Sequence, residues 1–292
     1  MLLKNILNLY KKNYRKLLII PILFFLFSIF IISQTISSEG VPIYRDISLK
    51  GGLSVILNVD TQTTQKEFED YLRQLKPQDS FKVSEVFEEG LRTGFVIDTS
   101  MDEKEFIDIL SNYFKKDFVI GENYSSNFIS PSLSNSFFKQ AMVVLLVSFI
   151  LMSIVIFVAF RQFVPSFAVV LSAFFDLIVT VGILDLMKFE ISIAGIGALL
   201  MLIGYSIDTD VLLTNRLYKE FGENYFEKLA DAFKTGILMT STTLVAGVGA
   251  LFFTNSDVIF EIALILVLGL VVDFISTWLQ NTGILLWWLE HK

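Results

Sequence analysis

Long apolar runs separated by short polar connections occupy most of the chain. Leu17–Ile36, Gln140–Phe160, Pro165–Met187, Ile191–Leu213, Thr235–Phe253 and Ile259–Leu286 are each of the length that crosses a hydrocarbon core of about 30 Å, and they predict six transmembrane helices. Residues 37–135 follow a different pattern. Short segments of alternating polarity predict strands at Ser54–Val59, Phe81–Phe87, Gly94–Asp98 and Phe118–Tyr124. Apolar residues at helical spacing predict helices at Thr64–Leu75 and Asp102–Phe114, the second with Glu103 and Glu105 in its first turn. The order β-α-β-β-α-β is the ferredoxin-like one, with two helices over one face of a four-stranded antiparallel sheet. The expected fold class is a membrane α-helical bundle of six transmembrane helices with an α+β ferredoxin-like domain. It divides into residues 1–36 (N-terminus and first helix), 37–135 (the domain) and 136–292 (a five-helix bundle).

Charge along the connections orients this arrangement. Lys4, Lys11, Lys12, Arg15 and Lys16 precede the first run with no acid among them. That run exceeds the roughly 7–15 residues of a signal-peptide core, and Ser33-Gln-Thr-Ile-Ser-Ser is not a clean cleavage pattern, so an uncleaved first helix is expected. Arg161, Arg216, Lys219, Lys228 and Lys234 fall on the same side as the N-terminus, whereas the opposite short loops hold only Lys188. The excess of positive charge places both termini in the cytoplasm and residues 37–135 outside the cell membrane. Leu217, Phe221, Tyr225, Leu229 and Phe233 recur every fourth residue and predict a helix lying at the cytoplasmic interface, and Trp287 and Trp288 predict an interfacial anchor.

Composition narrows the chemistry. The 292 residues are 53% hydrophobic and include 29 Phe, as a protein embedded in the lipid bilayer requires. There is no cysteine, hence no disulfide framework or thiolate metal site, and the one histidine, His291, is the penultimate residue. His-based metal clusters and catalytic triads are therefore excluded, and neither a cofactor, a metal nor an enzymatic activity is expected. The net charge of −7 resides in residues 37–135, where 17 acidic residues face 10 basic ones. No basic patch beyond the N-terminal segment suggests binding to nucleic acid.

The chemistry worth explaining is the set of carboxylates inside the spans. From Ile191 to Ile207 no side chain ionises, and these 17 residues rise about 26 Å as a helix, so Asp208 and Asp210 lie in or just under the membrane. A charged group at that depth costs roughly 2.5–3.5 kcal/mol and points to function. Two residues apart on a helix, the two acids point about 200° away from each other. Asp208 shares a row with Gly197, Met201, Gly204, Val211 and Asn215, whose glycines invite a neighbouring helix, and it is the expected buried, titrating group. Asp210, in a row with Ile203, Ser206, Ile207 and Thr214, is the weaker candidate because it can snorkel to the interface. Asp176 and Asp273 stand near the middle of the third and sixth runs, and the fifth offers Gly236, Thr240, Thr243 and Gly247. Mid-membrane acids on three helices, beside small and polar neighbours, predict one shared polar interior able to relay protons through Asp208, Asp176, Asp273 and Asp210.

Several stretches also carry a family resemblance. Gly204-Tyr-Ser-Ile-Asp-Thr-Asp-Val-Leu-Leu-Thr-Asn-Arg216, Phe175-Asp-Leu-Ile-Val-Thr-Val-Gly-Ile-Leu184, Thr240-Ser-Thr-Thr-Leu244 and the Gly51-Gly52 pair in Leu49-Lys-Gly-Gly-Leu53 resemble the SecF family of protein-export membrane proteins, within the resistance-nodulation-division superfamily. Asp208-Thr-Asp210 replaces the Asn-Asp-Thr usual in bacterial members, and Lys234-Thr235 replaces their Arg-Thr. With Asp273 and Thr277-Trp-Leu-Gln-Asn281, these features are similar to an archaeal member. The resemblance implies an auxiliary subunit of the Sec translocon. It would pair with a SecD-like protein, work beside the translocon channel on an exported polypeptide, and draw on the proton gradient without making or breaking a bond. Two other readings stay open: a small-molecule or lipid exporter of the same superfamily, and a purely structural translocon subunit.

Overall fold

The computed structural model describes residues 13–59, 63–77, 79, 81–88, 91–218 and 225–291. Lys4, Lys11, Lys12, Lys219 and Phe221 lie outside the described residues. Contacts divide the chain into two compact units, Arg45–Met142 and Met1–Tyr44 with Val143–Lys292.

The first unit is built on a four-stranded antiparallel sheet of order β2-β3-β1-β4, comprising β1 (Gly52–Asn58), β2 (Phe81–Glu88), β3 (Leu91–Thr99) and β4 (Tyr124–Ile129). Alternation decides which face is covered. Leu53, Val55 and Leu57 of β1, Val83 of β2 and Phe95 and Ile97 of β3 are buried on one face, while Ile56 is 43% exposed on the other. The buried face packs on Phe68 and Leu72 of one helix (Gln65–Leu75) and on Phe106 and Leu110 of another (Glu103–Phe114). Thr64 opens the first of these with a capping box, in which its hydroxyl accepts from the Glu67 N–H and the Glu67 carboxylate accepts from the Thr64 N–H.

The last strand is Tyr124–Ile129, not Phe118–Tyr124. Asn123 explains the difference: its side chain accepts from Val119 N at 2.8 Å and donates to Asp117 O at 2.8 Å, tying residues 117–123 into a turn. Phe118 of that turn packs on Phe114 and Tyr124, whereas pairing with β1 starts with Tyr124 opposite Leu57. Gly51 and Gly52 stand where β1 begins, at φ +90° and +146°. A Cβ on Gly51 would lie 2.6 Å from Pro131 Cα, and one on Gly52 2.6 Å from the Thr99 carbonyl, so neither place admits a side chain.

The second unit is a helix bundle. We number its helices with the rest in chain order: α1 (Ile19–Glu39), then α2 (Ile47–Lys50), α3 (Gln65–Leu75) and α4 (Glu103–Phe114) of the sheet unit, α5 (Pro131–Phe160), α6 (Phe163–Leu186), α7 (Ile193–Tyr218), α8 (Tyr225–Phe253), α9 (Asp257–Ile275) and α10 (Thr282–Glu290). A π turn, Ser276–Asn281, joins α9 to α10. Among the described residues six spans are long and apolar enough to cross a membrane, the last running from Asp257 to Glu290 through the π turn. This is a multi-pass membrane protein. α6 is the central helix and packs on α1, α7 and α9. Glycines set the close crossings: a Cβ on Gly182 would lie 2.6 Å from Ser28 Cβ of α1, one on Gly269 2.4 Å from Leu202 of α7, and one on Gly236 2.5 Å from the Trp278 ring.

The segment expected as a separate interfacial helix at 217–233 is, from Tyr225 onward, the start of α8. Its apolar stripe is used inside the bundle, where Leu217, Leu229 and Phe233 pack with Trp278 and Leu285. A four-residue spacing of apolar side chains is the same for a helix lying on lipid and one lying on a protein.

Residues 45–130 produced alone are expected to give a dispersed NMR spectrum. In that fragment Phe68→Ala costs about 3–5 kcal/mol by chemical denaturation, against about 0.5 kcal/mol for Ile56→Ala on the open face. The Thr64 backbone N–H, and after it the Thr64 hydroxyl, hold the Glu67 carboxyl below its ordinary range. This contribution is complete above the unfolded value of about 4.3 and is lost as pH falls through the lower folded value. Thermal melts across that window should fall less steeply for Glu67→Gln than for the wild type.

Candidate functional site

Each of α6, α7 and α9 turns one aspartate to the middle of the bundle. Asp176, Asp210 and Asp273 are 1%, 0% and 0% exposed, and one carboxylate oxygen from each lies within 4.8 Å of the others. The donors around them are neutral. Ser206 Oγ donates to Asp176 Oδ2 at 2.5 Å, and Asn281 Nδ2 donates to Asp210 Oδ1 at 2.7 Å. Thr277 Oγ1 stands 2.8 Å from Asp210 Oδ1 and 3.2 Å from Asp273 Oδ1, and its single hydrogen serves one of them at a time. Asp176 Oδ1, Asp210 Oδ2, Asp273 Oδ2 and Asn281 Oδ1 have no hydrogen-bond partner among the described residues.

Positive charge from the protein does not enter this cluster. α6, α9, the π turn and α10 contain no Lys or Arg, and the one basic residue of α7, Arg216, is exposed. Two carboxylates 4.8 Å apart repel by about 3.5 kcal/mol at an effective dielectric of about 20. Three ionised groups are therefore untenable without neutralisation. Protons on the carboxyls, or a hard cation on their oxygens, supply it.

The structure reverses the expected roles of the two acids on α7. Asp210, taken as the weaker candidate, is fully buried between Thr277 and Asn281, while Asp208 is exposed on the opposite side. Gly204 is exposed with it and Asn215 is half-buried. A Cβ on Gly197 or Gly204 would meet nothing within 4 Å, so the row is open at its two glycines, while Val211 further along it packs toward Ile156, Phe160 and Val169. The inward row is the one with hydroxyls four residues either side of the acid, Ser206 and Thr214, both buried. On α8, Thr240 is buried and Thr243 donates back to the Met239 carbonyl at 3.2 Å. Neither is among the donors to the three carboxylates, which come from α7 and the π turn.

Residues 109–291 match the family model described as Protein export membrane protein SecD/SecF, C-terminal. The chain belongs to this family. Within it, this SecF-type chain is 34% identical to the protein-export membrane protein SecF of Methanolacinia petrolearia over 94% of both chains. It is 34% identical to that of Methanocaldococcus jannaschii over 96% of this chain and 97% of the relative. Its fold is that of SecDF, a translocon-associated membrane protein from Thermus thermophilus, with a TM-score of 0.71 at 18% identity. The match covers 97% of the SecF-type chain but only 38% of the longer SecDF chain.

Ser206, Thr277 and Asn281 were not singled out from the sequence as parts of the site. A signal for them exists: Ser206 stands four residues before Asp210, Thr277 four after Asp273 and Asn281 four after that. Hydroxyl and amide groups at four-residue spacing from an intramembrane acid mark the row that faces inward.

Asp210→Leu removes the acceptor shared by Thr277 and Asn281; Thr277 keeps Asp273 Oδ1 at 3.2 Å, and the Asn281 amide is the donor left stranded. We expect a loss of about 1–3 kcal/mol for that stranded donor, measured by unfolding in mixed micelles. Asp208→Leu in the same assay should leave the isolated chain unchanged or slightly more stable.

Proposed function

We propose that this chain acts with a SecD-type partner in protein export across the cell membrane, and that the Asp176, Asp210 and Asp273 cluster couples this work to the proton gradient. The observation that carries the coupling is the burial of three carboxylates from three helices among neutral donors alone. One charge crossing 100 mV releases about 2.3 kcal/mol, enough for one or two protons to drive a rearrangement of a few kcal/mol. Asp210 takes the central place in this reading, with Asp176 and Asp273 sharing its proton.

The row left open on α7 supports the partner. Gly204 and Asp208 are exposed and Gly197 has open space above it, an expensive surface to leave against lipid but a good one for another polar helix. The 38% of the SecDF chain that this chain covers is also consistent with half of a two-part machine. Asp208 then belongs to the interface with the partner instead of the internal cluster. The strand order and the two helices on one sheet face support a ferredoxin-like domain for residues 37–135. Arg15, Lys16, Arg161, Arg216, Lys228 and Lys234 support cytoplasmic termini and an outward domain, where it meets the exported polypeptide.

Export into vesicles holding the partner, measured with and without an imposed pH gradient, tests the coupling. Asp210→Asn should assemble normally and lose most of the gradient-dependent stimulation, roughly tenfold or more for one essential proton carrier. Equal stimulation of Asp210→Asn and wild type would remove the proton-carrier role from this residue. Asp208→Asn should instead reduce the amount of partner that co-purifies from native membranes.

A further inference from the structure

The π turn between α9 and α10 needs a physical cause. Its sequence, Ser276-Thr-Trp-Leu-Gln-Asn281, contains neither Gly nor Pro, yet the Thr282 N–H and the Thr282 hydroxyl both reach back five residues to the Thr277 carbonyl, the latter at 2.9 Å. Such wide turns are rare because α geometry is ordinarily better, and they tend to occur at functional sites. What this one achieves is alignment. In an uninterrupted α-helix Asp273, Thr277 and Asn281 would drift about 40° at each step and leave Asn281 about 80° round from Asp273. The wider turn swings Asn281 back, so that it and Thr277 meet the same Asp210 oxygen at 2.7 Å and 2.8 Å. Both hydrogen bonds converge on this one oxygen.

We propose that Thr277 and Asn281 are positioning residues whose grip on Asp210 holds the π register, so that this grip sets the rotation of α10. Without it, residues 276–281 settle into α geometry, and everything beyond turns by about one residue, or 100°. The contacts that would feel this turn lie along α10, from Gly283 to Glu290. Gly283 packs on Leu18, where a Cβ would lie 2.8 Å from the Leu18 side chain. Glu290 accepts a hydrogen bond from Tyr14 Oη and lies 3.7 Å from Arg15. A change at Asp210 is thereby transmitted along a continuous helix to residues 14–18, just before α1. The coupling concerns packing within one chain and stands whether or not protons move.

The absence of native cysteine makes the register directly measurable. In the full chain in lipid, Leu18→Cys with Gly283→Cys should oxidise to a disulfide, as should Ser28→Cys with Gly182→Cys, a reference pair between α1 and α6 that the register does not move. In the Asp210→Leu background, and with Thr277→Val plus Asn281→Leu, the 18–283 yield should fall roughly fivefold or more. The lost yield should reappear with Leu18→Cys and Thr282→Cys, because residue 282 takes the place of 283 in the α register. Thr277→Ser, which keeps the hydroxyl, should retain the 18–283 bond. An undiminished 18–283 yield in both backgrounds overturns the proposal. So does a loss shared equally by the 28–182 pair, or one without transfer to position 282, since each would mean loosened packing in place of a turned helix.

Discussion

The bundle depends on how three buried carboxylates are accommodated with no basic side chain among their described partners. Inside hydrocarbon, an ionisable group has to be met by donors from neighbouring helices, and here these are two hydroxyls and one amide, Ser206, Thr277 and Asn281. Because Asp176, Asp210 and Asp273 come from α6, α7 and α9, satisfying them fixes the relative rotation of all three helices. The donors also constrain the chain beyond: two of the three lie in the π turn and tie α10 to α7. An arrangement with four unpartnered acceptor atoms at its centre is poised to bind positive charge.

Around this cluster glycines let neighbouring helices approach closely. Gly182, Gly236 and Gly269 each stand where an added methyl would collide with a neighbour. Lipid chains are as apolar as leucine, so burial of apolar area does not by itself favour helix association in the bilayer, and small residues at crossings supply the packing that does. At Gly197 and Gly204 an added Cβ would meet none of the described residues within 4 Å. This stretch of the row, with Asp208 beside it, has the chemistry of a helix interface.

The sheet unit obeys the ordinary rules of water. Its core of Leu, Val, Ile and Phe is closed by α3 and α4 on one face, and the starts of α2 and α3 are fastened by the Asp46 and Thr64 side chains. Burial of apolar area stabilises it directly, as it does not in the bundle. Gly51 and Gly52 are demanded by the backbone at the entry to β1, which gives a conformational reason for the glycine pair.

The span count, the change of periodicity between residues 37 and 135, and the helices of the sheet unit were legible in the chain alone, because membrane thickness and strand alternation are one-dimensional constraints written in residue order. So was the inward turn of Asp176 and Asp273, each in a row of small or hydroxyl side chains. Three things were decided only in three dimensions. The last strand shifted to Tyr124–Ile129 because an Asn123 side chain closes the turn before it. The 225–233 stripe joined α8 because Trp278 and Leu285 lie against it. Most consequentially, Asp210 and not Asp208 faces the other acids. A membrane helix is apolar on its lipid side as well as its protein side, so hydropathy shows that the two acids point apart but not which of them points inward, and the glycines beside Asp208 compete with the hydroxyls beside Asp210 as a signal. That choice belongs to α6, α9 and the π turn, whose donors meet only one of the two rows.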